Sequence, residues 1–108
     1  MFKLFERGFK MLSMREAASE IKTHPNIKVI DVRTPEEHRQ GHIPGSLLVP
    51  LDQWEKIEMV VPDKSTPLFV YCLSGARSQA ACRGFAKLGY TDVTNIGGIA
   101  DYQGPLER

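Results

Sequence analysis

Short apolar runs alternate along the chain with segments whose apolar residues recur at helical spacing. Phe9 to Leu12, Lys28 to Val32, Ser46 to Val49, Pro67 to Tyr71 and Thr91 to Ile96 read as short strands. Pro67-Leu68-Phe69-Val70-Tyr71 is apolar throughout, which predicts a central strand covered on both faces. Helix signals fill the intervals. Ser13-Met14-Arg15-Glu16 has the form of a capping box and opens a helix to about Lys22, with Ala17, Ala18 and Ile21 on its apolar face. Thr34 is placed to cap a second helix, with Pro35 at its first position and Glu37 closing the box; Gly41 and Pro44 end it. Asp52 to Glu55 opens a brief helix before Val60-Val61-Pro62. The longest helix is predicted from Ala76 to Leu88, its buried stripe made by Ala81, Phe85 and Leu88 and its end capped by Gly89. Gly97-Gly98 is expected to start a closing turn and short helix. Strands alternating with helices predict a parallel α/β sheet with right-handed crossovers.

Composition narrows the class of protein. A chain of 108 residues, 42% hydrophobic and 25% charged, fits one globular domain that needs no disulfide staples. A net charge of +1 gives no basic field for nucleic acid or an anionic membrane, so any anion must be held by a local site. Cys72 and Cys82 are too few for a disulfide framework or a structural zinc site. No segment approaches the ~20 apolar residues of a membrane span. Lys3, Glu6, Arg7 and Lys10 interrupt the apolar start, so it does not read as a signal peptide. A cytoplasmic location with reduced thiols is the expectation. Residues 1–8 are expected to form a loosely docked tail, made sticky by Phe2, Leu4, Phe5 and the adjoining Phe9, and residues 9–108 the domain.

The informative segment is Cys72-Leu73-Ser74-Gly75-Ala76-Arg77-Ser78, between the clearest strand and the longest helix. In open α/β sheets ligands bind beyond the carboxyl ends of strands. The backbone amides of Leu73 to Ser78 are spaced to curl around one point, with Gly75 supplying conformational freedom and the helix N-terminus adding partial positive charge. Arg77 is close enough in sequence to turn its guanidinium towards the same mouth. Such surroundings favour the Cys72 thiolate. Ser74 and Ser78 offer hydroxyl donors, and Ser78 is equally placed to cap the helix. A nucleophile at the base of an anion cradle suits two chemistries. One is transfer of a sulfane sulfur through a persulfide; the other is phosphate-ester hydrolysis through a phosphocysteine, which needs a wider ring of donors and a leaving-group acid.

From about residue 9 onward the chain resembles a single-domain rhodanese, a family of sulfurtransferases. Val29-Ile30-Asp31-Val32-Arg33-Thr34-Pro35-Glu36-Glu37 is similar to the family's first motif and Gly41-His42-Ile43-Pro44-Gly45-Ser46 to its second. Cys72 to Ser78 resembles its active-site loop, and Gly97-Gly98-Ile99 its closing motif. Cysteine phosphatases of the same fold carry a loop one residue longer between Cys and Arg, so the spacing argues against a third alternative, phosphatase or arsenate reductase activity. The resemblance implies a three-layer α/β fold, a five-stranded, mainly parallel sheet with helices on both faces. It implies a thiosulfate sulfurtransferase with Cys72 as the catalytic residue and Leu73, Ser74, Gly75, Ala76, Arg77 and Ser78 binding substrate. The donor would be a small sulfur compound such as thiosulfate, the acceptor a thiol or cyanide. A persulfide relay for a sulfur-donating or sulfur-accepting protein is the alternative. No cofactor and no metal are implied. One departure stands at Tyr102, where many members have Trp; its hydroxyl needs a partner.

Other residues invite functional readings that a structural role explains better. Asp31 and Arg33, at the end of an apolar strand, are expected to form a structural ion pair. His38 and His42 are four apart, but Gly41 and Pro44 break the helix that a metal pair would need. His42 is expected to hydrogen-bond within its turn and His24 to be exposed. Cys82 and Trp54 are expected to pack in the core.

Overall fold

The computed structural model describes residues 4–6 and 8–108, with side chains described from Gly8 onward. In chain order the elements are β1 (Leu4–Glu6), β2 (Phe9–Met11), α1 (Met14–Thr23), β3 (Lys28–Asp31), α2 (Pro35–Gln40) and β4 (Leu47–Leu48). A 3-10 helix (Leu51–Lys56) runs into α3 (Ile57–Val60), followed by β5 (Leu68–Cys72), α4 (Ala76–Lys87), β6 (Val93–Gly98) and a closing 3-10 turn (Ile99–Asp101). The strands form one sheet in the order β1-β2-β6-β5-β3-β4. The five from β2 to β4 are parallel, and β1 adds an antiparallel edge. Residues 4–6, expected within a loose tail, thus pair through Leu4↔Met11 and Glu6↔Phe9. Phe9, grouped with the sticky tail, is instead buried in the core, while the expectation for Phe2, and for the side chains of Leu4 and Phe5, falls outside the described residues.

Both capping boxes form. Ser13 Oγ accepts the Glu16 N–H at 3.1 Å and Thr34 Oγ1 that of Glu37 at 3.2 Å, each glutamate reaching back to its cap. They set where α1 and α2 start, and hence where the chain leaves the sheet. All five residues of β5 are buried. Their alternation divides the core into two layers. Leu68, Val70 and Cys72 pack with Ile30, Val32, Ala81, Cys82 and Phe85 beneath α4. Phe69 and Tyr71 pack with Val29, Ile96, Met14 and Ala17 beneath α1. Burying each large side chain contributes about 1.5–3 kcal/mol, so the centre of the sheet is its most stable part.

Two sequence expectations are corrected. β6 continues through Gly97 and Gly98, which were expected to open the turn, because these residues still pair with Tyr71 and Cys72 across a register shift. Ser78 does not cap α4: Gly75 occupies the cap, left-handed at φ 109°. Only glycine adopts that conformation readily, and it lets the loop turn directly from β5 into α4.

The strand order positions the site. β3 and β5 are neighbours, but the chain leaves β3 for β4 on one side and β5 for β6 on the other. The loops diverge at the carboxyl ends of β3 and β5, opening the crevice in which parallel sheets bind ligands.

Candidate functional site

Cys72 ends β5 at this crevice and is 1% exposed. Its sulfur receives the Gly75 N–H at 2.9 Å and faces the Ser78 hydroxyl at 3.5 Å. Burial alone would push the thiol up. The Ser78 hydroxyl and the backbone N–H groups of Ser78, Gly75 and Ser74 outweigh it and bring the thiol below its ordinary value. The donors that favour the ionised sulfur therefore come from its own loop, the Ser78 hydroxyl first and the backbone N–H groups after it. Leu73 and Ala76 belong to the loop by sequence but turn outward, Leu73 with 48% of its surface exposed.

A second glycine, Gly98, shapes the floor. Any side chain at Gly98 would drive its Cβ into the Leu73 carbonyl and to 2.7 Å from Ser74 Cα. The bare β6 backbone is what lets the loop lie so close to the sheet.

Arg77 takes a position that sequence spacing did not foresee. Its Nη1 and Nη2 donate to Glu37 Oε1 and Oε2 at 2.7 and 3.0 Å, a two-pronged ion pair joining the loop to α2. The pair holds the Glu37 carboxyl down to about 2, Arg77 being the main cause. Glu37 was legible only as the end of a capping box. It fills both roles, because its Oε1 accepts from the Thr34 N–H and from Arg77 together. Arg77 also feels the Cys72 charge, so it remains an electrostatic partner of the sulfur. A groove of about 450 Å³ opens against it, walled by Val32, Pro35, Pro50, Leu51 and Gln53. A second cavity of similar size, between α1 and residues 101–105, is lined by no residue of the loop.

The end of β3 is braced separately. Arg33 grips Asp31 through Nε at 3.0 Å and Nη2 at 2.8 Å and reaches the Gly41 carbonyl at 2.8 Å. Tyr71 donates to Asp31 Oδ2 at 3.0 Å, accepts the Ile43 N–H and meets Ser46 Oγ. His38 Nδ1 lies 2.9 Å from the same carboxylate. Burial opposes the Asp31 charge, but Arg33 and His38 keep its carboxyl below the ordinary value. The same burial pushes the Tyr71 phenol up to about 12. This network ties β3, β5 and the segment after α2 into one frame, the structural role expected for Asp31 and Arg33.

The remaining expectations resolve simply. His38 and His42 stack with ring centres 3.7 Å apart, and His42 Nδ1 bonds the His38 carbonyl. Among the described residues no group of three or more His, Cys, Asp and Glu is placed to hold a metal. Cys82 is fully buried, and burial first and the Cys72 charge second push its thiol far up, so it is inert. Trp54 lies on Gly84 against the core, and Tyr102 packs beneath α1. His24 is exposed. No helix of the described residues is long and apolar enough to cross a membrane.

Comparison with known proteins agrees with this geometry. The profile of the rhodanese-like domain matches residues 13–104. A protein of Escherichia coli (strain K12) named thiosulfate sulfurtransferase PspE is 42% identical over 77 residues, 70% of this chain and 74% of its own. A Bacillus subtilis (strain 168) protein named putative sulfur carrier protein YrkF is 30% identical over 97 residues, 89% of this chain but only 52% of its own. Among solved structures, one described as rhodanese with anions from E. coli superposes with a TM-score of 0.71 at 38% identity, covering 76% of this chain and 98% of the other.

Proposed function

The chain belongs to the rhodanese-like family, and on that premise we propose that it moves a sulfane sulfur from a donor such as thiosulfate to a thiol or cyanide through a persulfide on Cys72. Relatives named thiosulfate sulfurtransferase support sulfurtransferase activity in general. The observation that carries the finer reading is the Cys72 sulfur itself, almost covered, with the Gly75 N–H 2.9 Å away and its thiol brought below the ordinary value by donors of its own loop.

The Cys72 thiolate attacks the outer sulfur of thiosulfate. A sulfur–sulfur bond forms to Cys72, the bond to the sulfonate breaks, and sulfite leaves with its electron pair. Cys72 then carries Cys–S–S⁻, whose terminal anion lies among the N–H groups of residues 73–78. Arg77, oriented by Glu37, lines the groove between the loop and the segments after β3 and β4. Cyanide or a thiolate attacks the terminal sulfur, and Cys72 leaves as thiolate, ready for the next donor. Charge and atoms balance in both half-reactions without a metal, cofactor or proton donor. Leu73 to Ser78 form the substrate cradle, Leu73 and Ala76 through their backbone. Two unpaired thiols are consistent with a reducing, cytoplasmic setting.

Steady-state kinetics with thiosulfate and cyanide test the reading. The expected pattern is ping-pong, with thiocyanate formed by wild type and none by Cys72→Ser. Turnover surviving Cys72→Ser would overturn it. A second reading, relay of persulfide between proteins, is favoured by the exposed Leu73 at the mouth of the site, where a protein surface would bury it. Incubation with a cysteine desulfurase would then load Cys72 while thiosulfate turnover stayed poor.

A further inference from the structure

Behind the Cys72 loop lies a polar side chain that the sulfur chemistry does not touch. Asn95 is 2% exposed and sits in β6 where the register against β5 slips, with Val70 opposite Asn95 and Tyr71 opposite Gly97. Bulges of this kind re-aim side chains next to active sites. Here Asn95 Oδ1 accepts the Gly97 N–H at 3.0 Å and the Ser78 hydroxyl at 2.8 Å, while Nδ2 points at the Gly75 carbonyl 3.4 Å away. The Gly97 N–H can only donate, so it fixes which end of the amide is oxygen. Ser78 must then be the donor in its bond to Asn95.

The fully buried Ser78 has one hydroxyl proton and three acceptors: Asn95 Oδ1 at 2.8 Å, the Gly75 carbonyl at 2.9 Å and the Cys72 sulfur at 3.5 Å. With Cys72 a thiol, the proton rests on Asn95 or Gly75 and a lone pair of Ser78 accepts the S–H. With Cys72 ionised, the hydroxyl must turn its proton to the sulfur and give up the bond to Asn95. The thiol proton goes to solvent; Ser78 keeps its own and only redirects it.

We propose that Asn95 is a positioning residue that competes with the Cys72 sulfur for the Ser78 proton and thereby sets how readily Cys72 ionises. The proposal rests on Cys72 being the working nucleophile, and its test does not depend on sulfur transfer. The charged and titratable groups around the sulfur are Arg77 and Cys82 on α4, both of which interact with it. Beyond them, Glu37 on α2 is paired with Arg77, Asp31 with Arg33 at the end of β3, and Asp101 lies in the closing turn. β6 brings no ionisable side chain; its polar residues are Thr94 and Asn95.

The test is the pH midpoint of Cys72 alkylation by iodoacetamide, with the labelled residue confirmed by mass spectrometry. Asn95→Ala removes the nearer of the two competing acceptors, leaving the Gly75 carbonyl, and is expected to lower the midpoint by roughly half a pH unit. Asn95→Asp keeps the shape and the acceptors but holds the proton with an anion, and is expected to raise it by about one unit. In a Ser78→Ala background, Asn95→Ala should leave the midpoint where Ser78→Ala puts it. A residue that merely props the loop would keep its effect on the midpoint when Ser78 is removed, whatever the sign of the Asn95→Asp shift, because the new carboxylate also acts on the sulfur through space. Shifts of the same sign, no shift, or an undiminished effect without Ser78 overturn the proposal. If Asn95→Ala does not fold, Asn95→Ser is read in its place, with the same downward shift expected. A wild type that alkylates normally but transfers no sulfur refutes the proposed function and leaves this result readable.

Discussion

At Gly98 a single hydrogen in place of a side chain decides how closely the loop approaches the sheet. The Leu73 carbonyl and Ser74 Cα occupy the space a methyl group would need, and both are backbone atoms that cannot rotate aside. Gly98→Ala is therefore expected to displace residues 73–75, to cost about 1–3 kcal/mol of stability, and to lower the rate of sulfur loading more than the melting temperature alone would suggest. A thermal melt paired with single-turnover loading checks this; unchanged values for both would contradict it. At this scale the sequence was partly legible. Cys72 stood out because a cysteine followed by a glycine-bearing loop and a helix start has few structural explanations. Asn95 did not, because a polar residue in Val93-Thr94-Asn95-Ile96 looks like an outward position on a strand, and the bulge that turns it under the loop has no sequence sign of its own.

Between elements, the join that matters is the one from α2 to the loop. Glu37 caps its own helix and pairs with Arg77, so the position of α2 fixes the guanidinium beside the site. Arg77, the leading cause, holds its carboxyl down to about 2 from an ordinary 4.5. A depressed carboxyl contributes stability that is complete above the ordinary value and is lost as the pH falls towards 2. Glu37→Gln keeps the capping box but removes the charge. It should cost about 1 kcal/mol or less at neutral pH, because the pair is partly exposed, and should flatten the fall in melting temperature between pH 4.5 and 2. An acid limb identical to wild type would show that the pair contributes nothing. Both capping boxes could be read in advance because their signals lie within four residues. The Arg77–Glu37 pair could not, since the two are 40 positions apart and only the folded topology brings them together. For the same reason β1 was read as a tail: three residues on an edge carry too little pattern, and their strand is defined by pairing with β2.

For the whole molecule, a strand order that reverses between β3 and β5 places the Cys72 sulfur and its frame at the same opening. The parallel sheet was legible from the alternation of elements and the wholly apolar β5, and the family resemblance supplied the rest of the architecture. With a net charge of only +1, the protein has no general attraction for anions. On the proposed function, an anion is held instead at the Cys72 loop, where backbone N–H groups and the Ser78 hydroxyl face the sulfur and Arg77 is steadied by Glu37. The most direct test is the mass of the reduced protein after exposure to thiosulfate. The account predicts a gain of ~32 Da on the peptide containing Cys72, reversed by cyanide and missing from Cys72→Ser. No adduct on a Cys72 that still reacts with iodoacetamide, or an adduct on Cys82 instead, would contradict it.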